Sequence, residues 1–279
     1  MTVRIVTDST CDLPEETVKA LGVTVIPMLI QVGSQSYQDH LDMTRAEFYS
    51  RVIDSEPYPT TAPPEAEVFQ STYERLVEQG AEQILSIHIS SSLSAACELA
   101  QKAASQARLA QVKVFDSRQV SQGMGFQVEM AARLAEKGFS IGDIQAALED
   151  VIPRIHLVAI LDMFEYLQRS GRLSAAMAGL GKLLRFKPYI HIYDGQTTAE
   201  SVRAHEGAMN RLMRAMTDLG SIEKLALIHT NAPERAEELK RRASDLLPPG
   251  KTDIVDITPL IGVHTGPGAV GFVCIQAKT

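Results

Sequence analysis

Val3-Arg4-Ile5-Val6-Thr7-Asp8-Ser9-Thr10 reads as a short apolar strand running straight into a polar turn. Asp12-Leu13-Pro14-Glu15 follows, an acidic residue with Glu three positions on, which has the form of a helix start. Gly22 ends that helix, and Val23-Thr24-Val25-Ile26 opens a second strand. The same alternation continues outward. Thr44-Arg45-Ala46-Glu47 repeats the capping-box form, and Val68, Phe69, Tyr73, Leu76 and Val77 make an apolar helical stripe over 65–79, stopped by Gly80. Strands are predicted over 83–89 and 111–116, with helices over 94–108, 125–137 and 141–151. Strands alternating with capped helices imply βαβ units and a parallel sheet. Near Val151 the rhythm changes to strands over 157–161, 189–193, 224–230, 252–258 and 269–277, separated by helices of uneven length. The fold class is therefore α/β: an N-terminal parallel-sheet α/β domain over 1–155 and a C-terminal α+β domain over 156–279. No repeat, low-complexity tract or long linker separates them, so the two are expected to pack closely.

The 279 residues are 45% hydrophobic, enough to fill a core for each half. Lys and Arg number 27 against 34 Asp and Glu, a net charge of −7, so there is no basic footprint for nucleic acid. An anionic ligand would need a local cluster of donors working against the global field. Cys11, Cys97 and Cys274 lie far apart with no CxxC or cysteine–histidine spacing, which argues against disulfides and structural zinc. The opening MTVRIVTDST has no apolar leader core, and no stretch approaches ~18 uninterrupted apolar residues. The expected location is the cytoplasm.

In open α/β sheets, ligands gather where strands end and helices begin, because free backbone N–H groups and the helix dipole favour anions there. Thr7-Asp8-Ser9-Thr10 is one such junction, readable as a cap or as a ligand loop. Ile89-Ser90-Ser91-Ser92-Leu93-Ser94 places four hydroxyls in five positions, more than one N-cap requires, and Ser94 stands at the start of the following helix. Phe115-Asp116-Ser117, with Ser121, Gly123 and Gly125 beyond, reads instead as close backbone packing. Thr60-Thr61-Ala62-Pro63-Pro64 reads as a rigid entry to a helix. Arg169-Ser170-Gly171-Arg172 can bring a guanidinium to a carboxylate or phosphate, or merely place cations at a helix end. His264, held in Ile261-Gly262-Val263-His264-Thr265-Gly266-Pro267-Gly268, reads as a site residue, since that setting is costly for mere packing.

Two decoys fall on context. Gly266 to Gly271 matches GxGxxG, but the strand-like Phe272-Val273-Cys274-Ile275 follows where a helix and a ribose-binding acid should stand. No GxxxxGK[ST] phosphate loop occurs. A hydrolase or transferase reading would use Ser94 as nucleophile, His264 as base and Asp8 or Asp116 as orienter, without a GxSxG elbow.

Six segments in order resemble the DegV family of bacterial fatty-acid-binding proteins. The opening is similar to its VxIVTDSxxDLP, residues 89–96 to its ISSGLSGT, and residues 115–125 to its IDSxxxSxGxG. Residues 161–174 are similar to LDTLEYLKKGGRIS, Phe186-Lys187-Pro188 with Asp194-Gly195 to its IKP…DG pair, and residues 261–268 to IGTHTGPG. The resemblance implies a long-chain fatty acid held in a tunnel between the domains, with its carboxylate on Thr61, Ser94 and His264. It places Arg172 and Arg203 near the carboxyl or an incoming phosphate, His205 replacing the second arginine of the family's VRTR. Asp8, Ser9, Ser91, Ser117, Gly262 and Thr265 belong to the loops supporting that site. It implies a non-catalytic lipid carrier without metal or cofactor, serving as subunit to an ATP-dependent fatty acid kinase and allowing transient membrane contact.

Overall fold

The computed structural model describes residues 2–106, 111–171, 186–203 and 205–278. The opening strand β1 (Val3–Asp8) pairs in parallel with β2 (Thr24–Ile26) on one side and β6 (Gln83–His88) on the other. With β7 (Gln111–Asp116) they form a parallel sheet of order β2-β1-β6-β7. Every residue of β6 is buried, as expected of a parallel strand covered on both faces. One cover is α3 (Ala66–Glu78) with α4 (Ala96–Gln106), whose Phe69, Tyr73, Ala100 and Ala103 close on Val6, Ile26 and Ile84. The other is α5 (Gln122–Glu136), backed by α6 (Ile141–Val151). Gly123 and Gly125 serve packing: a Cβ on Gly125 would stand 2.6 Å from the carbonyl oxygen of Cys11.

The second sheet has order β10-β9-β8-β13-β11-β12. Its strands are β8 (Ile155–Ile160), β9 (Phe186–Tyr193), β10 (Gln196–Arg203), β11 (Ile222–His229), β12 (Asp253–Asp256) and β13 (Val270–Gln276). All neighbours are antiparallel except β11 and β12. Period-two alternation gives it two apolar faces. Val158, Ile160, Leu227 and Phe272 face α8 (His205–Asp218) and α9 (Pro233–Arg242). Leu157, Ala159, Ile190, Ile192 and Ile228 face the other way and join the core of the parallel-sheet half.

A third sheet, β4-β3-β5, is antiparallel and built from Gln35–Gln38, Leu29–Val32 and Thr60–Ala62. Sequence reading passed over it, because Gln35-Ser36-Tyr37-Gln38 offers a polar edge with nothing to bury. Another expectation is corrected. The helix α1 (Glu15–Ala20) starts at Pro14 without a side-chain cap, and Asp12 is no N-cap. Asp12 is buried in the left-handed region (φ 51°) and accepts hydrogen bonds from Ser121 Oγ at 2.6 Å and Thr258 N at 2.8 Å. The Thr44–Glu47 capping box forms as read, at α2 (Arg45–Glu47). A short α7 (Glu165–Arg169) follows β8, and α10 (Pro259–Thr265) links β12 to β13.

Candidate functional site

A cavity of about 1120 Å³ lies between the inner face of the six-stranded sheet and the strand ends of the parallel-sheet half. That is slightly above the ~300–1,000 Å³ usual for small-molecule sites. Leu157, Ala159, Ile190, Ile192, Ile228 and Val270 give one apolar wall; Met28, Ile89, Leu93 and Val120 face it from the other half. Thr61, Ser94, His264 and Thr265 are set into this lining.

Thr61 is no loop residue. It lies in β5, paired with Ile30 of β3, so the small sheet fixes its direction. His264 is in the last turn of α10, and its Nε2 sits 2.8 Å from Thr61 Oγ1. The structure thus joins two residues 203 positions apart, each rigidly held. The Tyr58 hydroxyl ties the same helix down by donating to Val263 O at 2.6 Å, and Gly262 is pressed onto Tyr49, whose hydroxyl would be 2.4 Å from any added Cβ. Thr265 Oγ1 donates to Ile261 O at 3.1 Å.

The start of α10 is anchored by two buried acids. Thr258 caps the helix; its N–H donates to Asp12 at 2.8 Å and its hydroxyl to Asp39 at 2.5 Å. Burial pushes both carboxyls up, Asp12 to about 7 despite its bonds from Ser121 and Thr258, and Asp39 despite His40. The folded protein therefore holds a proton on Asp12 that the unfolded chain releases near pH 4, so stability falls as pH rises toward 7. Asp12→Asn should lose that slope. Relative to the variant, the parent protein should weaken by about 2 kcal/mol between pH 5 and pH 7, read from urea unfolding. Parallel pH curves for the two proteins would refute this.

At the serine-rich junction the hydroxyls divide their work. Ser90 and Ser92 bond each other at 2.9 Å, and Ser91 Oγ donates to Asp116 at 2.6 Å. Ser94 Oγ accepts from Ala96 N at 3.3 Å, the entry to α4, while lining the cavity. Ser9 and Ser117 are buried in loop bonding, Ser9 Oγ accepting from Met28 N at 3.1 Å and Ser117 Oγ donating to Gln119 O at 3.1 Å.

Asp8 is wholly occupied. One oxygen accepts from Thr10 N at 3.1 Å and Thr10 Oγ1 at 2.5 Å; the other meets Ile89 N at 3.1 Å and His88 Nδ1 at 3.0 Å. His88 Nε2 lies 2.7 Å from Ser86 Oγ, to which Tyr73 donates at 2.9 Å. This is a Ser-His-Asp series in connectivity, but Ser86, His88 and Asp8 are all 0% exposed, so no substrate reaches it. The triad considered from sequence does not assemble: His264 Nε2 engages Thr61, Asp8 engages His88, and Asp116 engages Ser91.

Arg203 is exposed on β10 with its guanidinium 5.9 Å from the Phe186 ring centre, and it is not among the cavity-lining residues. Arg172 lies outside the described residues. Sequence reading missed Asp39, Thr258, His88 and the wall residue His229, none of which stands in a motif that would flag it. Among the described residues no cluster of three or more His, Cys, Asp or Glu could hold a metal, and no helix is long and apolar enough to cross a membrane.

A family profile described as "Uncharacterised protein, DegV family" matches residues 2–277. A DegV domain-containing protein of Halalkalibacterium halodurans is 32% identical over 274 residues, 97% of each chain. A fatty-acid-binding DegV family protein from Thermus thermophilus, 30% identical, superposes with a TM-score of 0.89, covering 99% of this chain and 100% of the other. DegV of Bacillus subtilis, described as a fatty acid binding protein, is 28% identical with a TM-score of 0.87, covering 99% and 100%. The profile spans both sheets and the cavity between them, and the Halalkalibacterium halodurans relative matches over 97% of its length: the chain belongs to the DegV family.

Proposed function

We propose that this protein holds one long-chain fatty acid in the cavity, with its carboxylate against Thr61, Ser94 and His264, and presents that group to an ATP-dependent kinase for conversion to acyl phosphate. The observation that carries the reading is an aliphatic cavity of about 1120 Å³ with the Thr61–His264 pair built into its wall. The fatty-acid-binding relatives support it. In this reading the chain does no chemistry, residues 1–155 and 156–279 are the two halves that enclose the tail, and Arg172 and Arg203 serve the carboxyl or the arriving phosphate. A cytoplasmic carrier in transient contact with membranes fits that task.

The energetics divide cleanly. A sixteen-carbon acid has about 14 methylenes, whose burial is worth roughly 11 kcal/mol gross, before the costs of association and ordering. A charge-assisted hydrogen bond adds roughly 1.5–3 kcal/mol. The tail therefore sets affinity. The polar cluster sets orientation and spares the carboxylate an unpaired burial.

The direct test is to denature the purified protein and identify the released lipid by mass spectrometry. One long-chain fatty acid per chain is expected. A protein that releases none, and takes up none when offered palmitate, is not a fatty-acid carrier.

A further inference from the structure

The cavity wall carries a second imidazole. His229 ends β11, is 6% exposed, and lines the cavity with Ile228, Ile257, Leu260 and Val270. Its strand neighbours are Val270 on one side and Asp256 on the other. Several other polar groups of the wall have partners within the protein: Thr61 with His264, Ser121 with Asp12, Thr265 with Ile261. For His229, the partners lie on one side of the ring. Nδ1 accepts from Ala232 N at 3.3 Å, with Asp256 Oδ1 also 3.3 Å away. Among the described residues no group bonds Nε2.

Nδ1 has two neighbours of opposite demand at the same distance, the Ala232 N–H and the Asp256 carboxylate. A neutral ring that accepts from Ala232 carries its proton on Nε2, one that donates to Asp256 leaves Nε2 an acceptor, and a protonated ring bears hydrogen on both nitrogens. In every state Nε2 is a polar atom of a cavity-lining ring that no described residue bonds. A plain alkyl chain leaves it unmatched, whereas a hydroxyl on the chain, which both donates and accepts, can meet it in any state and a keto oxygen can meet the donor states.

Resting on the fatty-acid reading above, we infer that His229 is a second polar station that selects acyl chains carrying an oxygen on the tail, hydroxy- or oxo-fatty acids. His229 is then a specificity-determining residue, distinct from the carboxylate cluster. Asp256 and the Ala232 backbone hold its ring in place.

The test measures dissociation constants of the delipidated protein for stearate, 10-hydroxystearate, 12-hydroxystearate and 10-oxostearate. At least one oxygenated acid should bind as tightly as stearate or more so, since a site built for an oxygen favours the analogue that has it. His229→Leu should weaken that acid about tenfold relative to stearate, and His229→Gln, which keeps an amide donor, should recover part of the preference. Equal changes for all four ligands in His229→Leu would overturn the inference. So would a parent protein that binds every oxygenated acid at least tenfold more weakly than stearate, a result that stands even if the leucine variant fails to fold. If the parent binds none of the four, the fatty-acid reading fails as well, which sets that failure apart from a loss of selectivity alone.

Discussion

Replacing His264 with alanine is expected to cut acyl-phosphate formation with a fatty acid kinase more than about 100-fold, because displacing a reacting group by ~1 Å already costs that much. Ser94→Ala should act in the same direction. Both residues line the cavity on fixed elements, His264 in the last turn of α10 bonded to Thr61 at 2.8 Å, Ser94 at the entry to α4. Their loss leaves the aliphatic walls of β8, β9 and β13 intact. Lipid retention should therefore fall less, by about tenfold, the lower end of the roughly 1.5–3 kcal/mol of one charge-assisted hydrogen bond, because the remaining hydroxyls still pair the carboxylate. Acyl phosphate can be trapped as its hydroxamate, and retention read from the lipid that co-purifies. Loss of both by the same factor would show that head-group contacts hold the ligand, and the proposed separation of grip from orientation would be wrong.

How much of this could be read in the sequence depended on whether a residue's environment is local. The strands β1, β6 and β7 are apolar runs bounded by caps, so the parallel sheet was legible. The edge strands β4 and β10 were not, since Gln35–Gln38 and Gln196–Arg203 are mostly polar and half exposed, and only pairing to a neighbour makes them strands. That omission hid why Thr61 matters: read as part of a rigid loop, it is in fact held by β3. Asp12 shows the limit most sharply. Its spacing to Glu15 has the form of a capping box, yet its partners are Ser121 and Thr258, 109 and 246 residues away. Local pattern is a weak guide where tertiary hydrogen bonds compete for the same side chain. His264 was legible because the glycines around it marked an unusual backbone, and Gly266 does stand at φ 68°. His88 and His229 stand at the ends of strands β6 and β11 with no such mark.

Asp8→Asn should be the most destabilising conservative substitution in the N-terminal half, by roughly 2–6 kcal/mol, the loss for two buried donors left unpaired at about 1–3 kcal/mol each. The two carboxylate oxygens of Asp8 take four donors: Thr10 N, Thr10 Oγ1, Ile89 N and His88 Nδ1. An asparagine offers one oxygen and a donating NH2 group, so the side of the site occupied by Ile89 N and His88, or that of Thr10, must face a like donor. With Asp8, Thr10 and His88 at 0% exposure, water cannot step in. The network also spans the sheet, joining β1 to the end of β6 and through Ser86 to Tyr73 of α3, so its failure loosens three elements together. Asp116→Asn is the control: its bonds to Ser91 and Arg118 are more exposed, and a loss near 1 kcal/mol is expected. Urea unfolding of the two variants checks the difference. An Asp8→Asn protein within 1 kcal/mol of the parent would show that this junction is not structural, and would return Asp8 to the ligand loop that its position after the first strand also suggested. If instead the variant is weak but its folded fraction takes up palmitate normally, the acid belongs to the scaffold and the cavity's grip lies wholly with the residues of β5, the entry to α4 and α10.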